Sequence, residues 1–361
     1  MDMSDPSNEA LWATYRSARL STGQAAYTRP GRGEIVVRVR AVALNPVDTM
    51  TGWNRRVVYP WLNYPAVLGV DVAGDVVEVG PGTGRLSVGE RVIGLALGQE
   101  RDCNSPAHGA FQKYVVLRAA LVSPIPDQLP YEQAAVLPLG VATAASGLFG
   151  RDQLALDLPD TSRRREDATV LVWGGSTSVG CNAIQLARHA GYRVVTTASP
   201  RHHPLVLDLG ADVALDRRDP DVVRRTSDVL ARRHLAGIVA IGSASTVPTV
   251  RIAANVGARR STESAQRVGV ASVQPSPLTT LVSRLARFRG VRLSTVWGGS
   301  VAHERLGAEI FTRVLPAALA AGSYRPAPFS EVAGQGLEAV PDALERLRAG
   351  VSSRKLVVRI P

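Results

Sequence analysis

Val170-Leu171-Val172-Trp173-Gly174-Gly175-Ser176-Thr177-Ser178-Val179-Gly180 is the stretch on which the fold of this 361-residue chain turns. Its four leading apolar residues read as a strand buried on both faces. Small residues then bend the chain into a helix predicted over 181–190. Such a turn lets backbone amides approach a pyrophosphate, whose charge the helix N-terminus stabilises. Ser176, Thr177, Ser178 and Val179 are the expected contacts. The pattern departs from a glycine-only turn at Thr177 and Ser178. A strand–helix turn without a ligand would also use glycines, but the lengths of the elements that follow fit a βαβ unit.

Downstream, strands at 193–197, 213–215 and 237–241 alternate with helices at 205–209 and near 221–234, the mark of a parallel sheet with crossover helices. NAD sites place a carboxylate at the end of the second strand to bond both ribose hydroxyls. This chain has Ala198-Ser199-Pro200-Arg201-His202-His203 there. A hydroxyl and a guanidinium suit a 2′-phosphate that a carboxylate would repel, so Ser199, Arg201 and His202 point to NADPH. Arg201 could instead simply face water.

Upstream, the chain reads as short strands (36–42, 72–79, 88–92) punctuated by Gly69, Gly74, Gly80, Gly82, Gly84 and Gly89. A small-residue helix follows at 134–147, interrupted by Pro138 and Gly140. Residues 151–168 are polar and aperiodic, and read as an exposed inserted loop. A helix at 341–348 and a strand at 355–360 close the chain. The expected architecture is α/β: a doubly wound parallel-sheet domain (133–319) and a β-rich domain built from both chain ends (1–132 and 320–361).

Hydrophobic content of 45%, charged content of 20% and a mean hydropathy of +0.03 describe an ordinary soluble globular protein. No apolar run reaches the roughly 18 residues a membrane helix needs. The residues around Met1 lack a basic start and an apolar core, and the cysteines are only Cys103 and Cys181, so a cytoplasmic location is expected. The net charge of +11 raises nucleic-acid binding. The basic residues are scattered, however, and lysine occurs only at Lys113 and Lys355. Arginine-rich codon usage accounts for that pattern, and neither nucleic acid nor membrane is an expected partner.

Asn45-Pro46-Val47-Asp48, Leu68-Gly69-Val70-Asp71-Val72-Ala73-Gly74, Val88-Gly89-Glu90-Arg91-Val92 and Leu137-Pro138-Leu139-Gly140-Val141-Ala142-Thr143-Ala144 occur in that order before the glycine turn, and Arg354-Lys355-Leu356-Val357-Val358 closes the chain. In this the sequence resembles the medium-chain dehydrogenase/reductase superfamily, quinone-oxidoreductase branch, over essentially its whole length. Gly174-Gly175-Ser176-Thr177, Ser199-Pro200-Arg201-His202 and the inserted loop resemble the trans-acting enoyl reductases that partner fungal polyketide synthases. The resemblance implies a Rossmann-like domain plus a GroES-like domain, and NADPH-dependent reduction of an α,β-unsaturated acyl thioester presented by an acyl carrier domain. The alternatives are a quinone or enone reductase on free small molecules and a noncatalytic NADP(H)-binding protein.

By the same resemblance, Asn45 and Asp48 sit near the nicotinamide end and Thr143 near its ribose. Arg217, Ser353 and Arg354 join the cofactor contacts. Asx-Pro-x-Asp is also a good turn in its own right. Zinc-dependent relatives supply Cys, His and Cys where this chain has Asn45, Val70 and Leu139, and a valine and a leucine cannot ligate a metal. No metal is expected, and the chemistry falls to the cofactor. An enolate would be stabilised by backbone amides or a cofactor ribose hydroxyl, with no side chain named as proton donor. Ala240 stands where many relatives carry an aspartate. An acidic carrier would dock on arginines that include the segment Arg284 to Arg292.

Overall fold

The computed structural model describes residues 5–14, 20–159, 168–258, 267–273, 279–303 and 305–361. The chain divides into two compact units, 1–139 with 307–361, and 140–306.

The first unit carries strands β1 (Asn8–Ala13), β2 (Ser21–Ala25), β3 (Glu34–Ala43), β4 (Ala66–Val67), β5 (Asp71–Val79), β6 (Arg91–Leu95), β7 (Tyr114–Arg118) and β8 (Val122–Pro124). The second carries β9 (Ala168–Trp173), β10 (Arg193–Ala198), β11 (Val213–Asp216), β12 (His234–Ile241), β13 (Val268–Val273) and β14 (Val291–Val296). β15 (Phe329–Gln335) and β16 (Arg354–Arg359) return the chain to the first unit.

In the first unit β3 is the organising strand. It pairs antiparallel with β5, β7 and β16, so the chain's closing strand is hydrogen-bonded to one laid down near its beginning. The sheet runs β15-β16-β3-β5-β6-β8, with β7 also on β3, and a small sheet β2-β1-β4 stands apart. The third expected strand is corrected: Val88 and Gly89 lie in a turn with Val88 exposed, and pairing begins at Arg91.

Among the described residues of the second unit the six strands are all parallel, in the order β11-β10-β9-β12-β13-β14. β9 is central, as its unbroken apolar run requires. The chain reverses winding on either side of it, placing a topological switch point at the carboxyl end of β9, where the glycine turn begins. Ala240 lies fully buried in the core of this sheet.

The loop expected to be exposed at 151–168 is anchored at its start. Leu154 is buried and closes over Gly237 and Gly269 on the sheet, and Gln153 hydrogen-bonds Thr295 and Ser294 on β14. Two glycines leave room there that only an apolar side chain fills. Residues 160–167 of that loop, with Arg163, Arg164 and Arg165, lie outside the described residues. No helix among the described residues is long and apolar enough to cross a membrane.

Close packing at the glycine turn makes a test. A Cβ at Gly180 would sit 2.2 Å from the Gly174 carbonyl oxygen and 2.7 Å from the Gly175 Cα, both backbone atoms that cannot swing aside. Gly180→Ala should therefore destabilise the protein by about 1–3 kcal/mol, the typical cost of overpacking, despite alanine's better helix propensity. Urea unfolding decides it, and an unchanged midpoint would show that the turn relaxes.

Candidate active site

The turn after β9 has the form an anion needs. Only Gly174 takes a positive φ, +90°. Gly175 has no room for a side chain, since a Cβ would meet the Thr196 hydroxyl at 2.1 Å. Thr177 begins the helix Ser178–His189 in an extended conformation, φ −79°, which any residue adopts, so glycine is not required there. Its hydroxyl accepts from the Gly180 N–H at 3.0 Å and donates to the Gly174 carbonyl at 2.8 Å. Thr177 is thus a helix cap first, which leaves the first-turn amides of Ser178 and Val179 for a ligand. The Ser178 hydroxyl is buried with no hydrogen-bond partner. These features fit a pyrophosphate at the helix N-terminus.

Neighbouring parallel strands bring the basic residues together. Arg201 and His202 follow β10, and Arg217 follows β11, whose backbone N–H bonds the Ala198 carbonyl at 3.3 Å. The Arg201 Nε lies 3.2 Å from the His202 Nε2. Partial burial, then Arg201 and Arg217, hold the His202 imidazole below its ordinary pKa. Like charges crowded beside a half-buried Ser199 form a setting that an anion would relieve. Ser353 and Arg354 belong to the first unit. There the Ser353 hydroxyl is buried without a partner, and Arg354 faces Glu331 at 3.7 Å.

In the first unit Asn45-Pro46-Val47-Asp48 forms a tight 3-10 turn, with the Asp48 Oδ2 accepting from the Asn45 N–H at 2.8 Å. The Asn45 carboxamide is held at both ends. Its Nδ2 donates to the Asp71 Oδ2 at 2.9 Å, and its Oδ1 accepts from the Lys355 Nζ at 2.5 Å. Lys355 and Asp71, 5% and 0% exposed, form an ion pair at 2.9 Å. The Leu139 N–H adds a bond to the Asp71 Oδ1 at 2.6 Å. Asp48, also buried, keeps its Oδ1 without a partner, and burial pushes its carboxyl up to about 7. The nearby Asp71 charge adds to that rise, while the Asn45 N–H and Lys355 oppose it.

Sequence reading named Asn45 and Asp48 but missed Asp71 and Lys355. A signal existed: Lys355 is one of two lysines in a chain whose other basic residues are arginine. Thr143 is buried on the helix Pro138–Phe149, in the second unit. Among the positions compared with a zinc site, Asn45 is committed to Lys355 and Asp71, and Leu139 offers its backbone N–H. An ammonium already supplies positive charge at that place. Among the described residues no group of three or more His, Cys, Asp or Glu side chains is placed to hold a metal.

Residues 31–127 match the alcohol dehydrogenase GroES-like domain. Dehydrogenase orf1 of Aspergillus niger is 43% identical over 357 residues, covering 99% of this chain and 100% of that protein. Trans-enoyl reductase himH of Aspergillus japonicus is 35% identical over 360 residues, covering 98% and 97%. Among solved structures, the mycobacterial protein Rv1454c complexed with NADPH superposes with a TM-score of 0.69 at 23% identity, covering 98% of this chain and 99% of that one.

The Asp48 carboxyl gives a pH test. Its folded pKa, about 7, lies above the roughly 3.9 of an unfolded aspartate. Its contribution to stability is therefore complete below about pH 4 and is lost as pH rises through 7. Asp48→Asn is neutral throughout and removes that component. Urea unfolding from pH 4 to 8 should show wild type losing stability relative to Asp48→Asn across this window, and parallel curves would refute the burial argument.

Proposed function

Because the chain belongs to the medium-chain dehydrogenase/reductase superfamily, an oxidoreductase family, we propose that it is an NADPH-dependent trans-acting enoyl reductase of polyketide biosynthesis. Its substrate is then an α,β-unsaturated acyl thioester. The observation that carries this reading is end-to-end similarity to a trans-enoyl reductase, 35% identical over 98% of the chain. The nucleotide turn and the basic group at 201, 202 and 217 support NADPH, as does the likeness to a fold solved with that cofactor.

When bound, reduced nicotinamide supplies a hydride for the β-carbon of the substrate. The chain's own residues do the rest. Ser176, the amides of Ser178 and Val179, and the Ser178 hydroxyl hold the pyrophosphate; Ser199, Arg201, His202 and Arg217 take the 2′-phosphate. Thr143, Ser353 and Arg354 contribute further cofactor contacts, with Thr143 toward the nicotinamide ribose. Asn45, pinned by Asp71 and Lys355, keeps the turn that carries Asp48 in one conformation. Those bonds hold the buried Asp48 carboxyl in one place.

Domain boundaries at 133 and 319 remain part of the proposal, as does an acyl carrier domain as the partner that delivers the substrate. The arginine segment offered for docking is uneven. Arg287 and Arg289 are exposed, whereas Arg292 is tied to the carbonyls of Asp152 and Gln153. The side chain of Arg284 lies outside the described residues.

Three measurements test this. Reduction of crotonyl thioester with NADPH should be detectable, and Arg201→Ala should weaken NADPH about tenfold while leaving NADH nearly unchanged, the loss of one charge-assisted phosphate contact. Equal losses for both cofactors would assign Arg201 to the fold. A carrier-bound enoyl substrate should show a higher kcat/KM than the same acyl group on a small thiol, with the advantage fading as salt rises. Equal, salt-indifferent rates would remove the carrier.

A further inference from the structure

Lys355 is a chemical outlier. All but two of the 42 basic residues are arginine, and the other lysine, Lys113, pairs with Glu9 on the surface, 41% exposed. Lysine at a buried position of such a chain marks a place where a compact point charge is needed and a planar guanidinium fork does not fit. The surroundings agree. The ammonium lies 2.5 Å from the Asn45 Oδ1 and 2.9 Å from the Asp71 Oδ2. Both acceptors are themselves immobilised, Asp71 by the Asn45 Nδ2 and the Leu139 N–H. An ammonium has three N–H donors, and among the described residues these two acceptors are its partners. One donor is left over, on a cation that its ion pair holds in place and that is 5% exposed.

We infer that Lys355 is the oxyanion donor of the reaction, its third N–H hydrogen-bonding the carbonyl oxygen of an enolisable thioester. This deepens the proposed function and rests on it. In the step, the β-carbon receives the hydride with its electron pair. The Cα=Cβ π pair shifts to the bond between Cα and the carbonyl carbon, and the carbonyl π pair moves onto oxygen. The α-carbon then takes a proton from solvent and the carbonyl re-forms. Lys355 keeps its protons throughout. A preorganised cation beside a developing oxyanion needs no reorganisation, and losing one such donor costs about 10²–10³ in kcat.

Removing Lys355 alone strands a buried Asp71, so the decisive variant is the neutral pair Lys355→Met with Asp71→Asn. It should fold, bind NADPH as wild type by nicotinamide fluorescence, and lose about 10²-fold or more in kcat on crotonyl thioester with little change in KM. Lys355→Arg should be similarly impaired. A folded neutral pair with wild-type kcat overturns the inference.

An independent measurement avoids turnover. Protein labelled with 15N-lysine should give two Nζ signals, from Lys113 and Lys355. Adding NADP+ with acetoacetyl-N-acetylcysteamine, an enolisable thioester, should shift the Lys355 signal and leave that of Lys113. An unmoved Lys355 signal at saturating probe also overturns the inference. If wild type reduces no enoyl thioester at all, the proposed function falls, while the Nζ signal still decides whether Lys355 meets an enolisable carbonyl.

Discussion

The buried carboxylate of Asp71 is the constraint around which the first unit is arranged. An ionised carboxylate at 0% exposure is tolerable only when its lone pairs are filled and its charge matched. Here three donors fill it: the Lys355 ammonium, the Asn45 amide and the Leu139 N–H. They come from residues 45, 139 and 355, so one carboxylate holds together segments spread over most of the chain. Removing the ammonium leaves charge without compensation, and removing either neutral donor leaves a buried oxygen short of a partner, so the Asn45 turn, the start of β5 and the end of the chain act as one piece. Its stability contribution is modest, because desolvation offsets much of the Coulomb gain; its contribution to geometry is large.

The second unit solves a different problem by backbone means. Its anion site needs amides close to a ligand and no side chain in the way. Glycine is therefore demanded only where φ is positive, at Gly174, or where the packing is closest, at Gly175 and Gly180. At 177 and 178 the backbone is ordinary, and the chain uses hydroxyl residues there. Thr177 then caps the helix that a glycine would have left uncapped. The departure from a glycine-only motif thus strengthens the helix end.

Charge is used in three ways. Many arginines make exposed pairs, such as Arg224 with Asp221 and Arg29 with Asp5, which are worth little individually. Arg201 and Arg217 concentrate positive charge at the carboxyl ends of β10 and β11. One lysine is taken inside. The net charge of +11 therefore says less about partners than the few positions where charge is crowded or buried.

What the sequence determined by itself was periodicity and order. The apolar run of β9, the small-residue turn and the alternation after it specified a parallel sheet, because a strand buried on both faces can be little else. Chain order also predicted the residues after β10 and the Asn45 turn. The tertiary structure alone decided which polar groups are spent and which remain. Asn45 read as a candidate for chemistry, yet its amide is consumed by Asp71 and Lys355; Thr177 read as a phosphate contact, yet its hydroxyl caps a helix. Asp71 and Lys355, 284 residues apart by their numbers, could not be paired from a linear text. Pairing them depends on the antiparallel registers of β3 with β5 and with β16 that only folding sets, and a hydrogen bond's partner is a property of space, not of spacing along the chain.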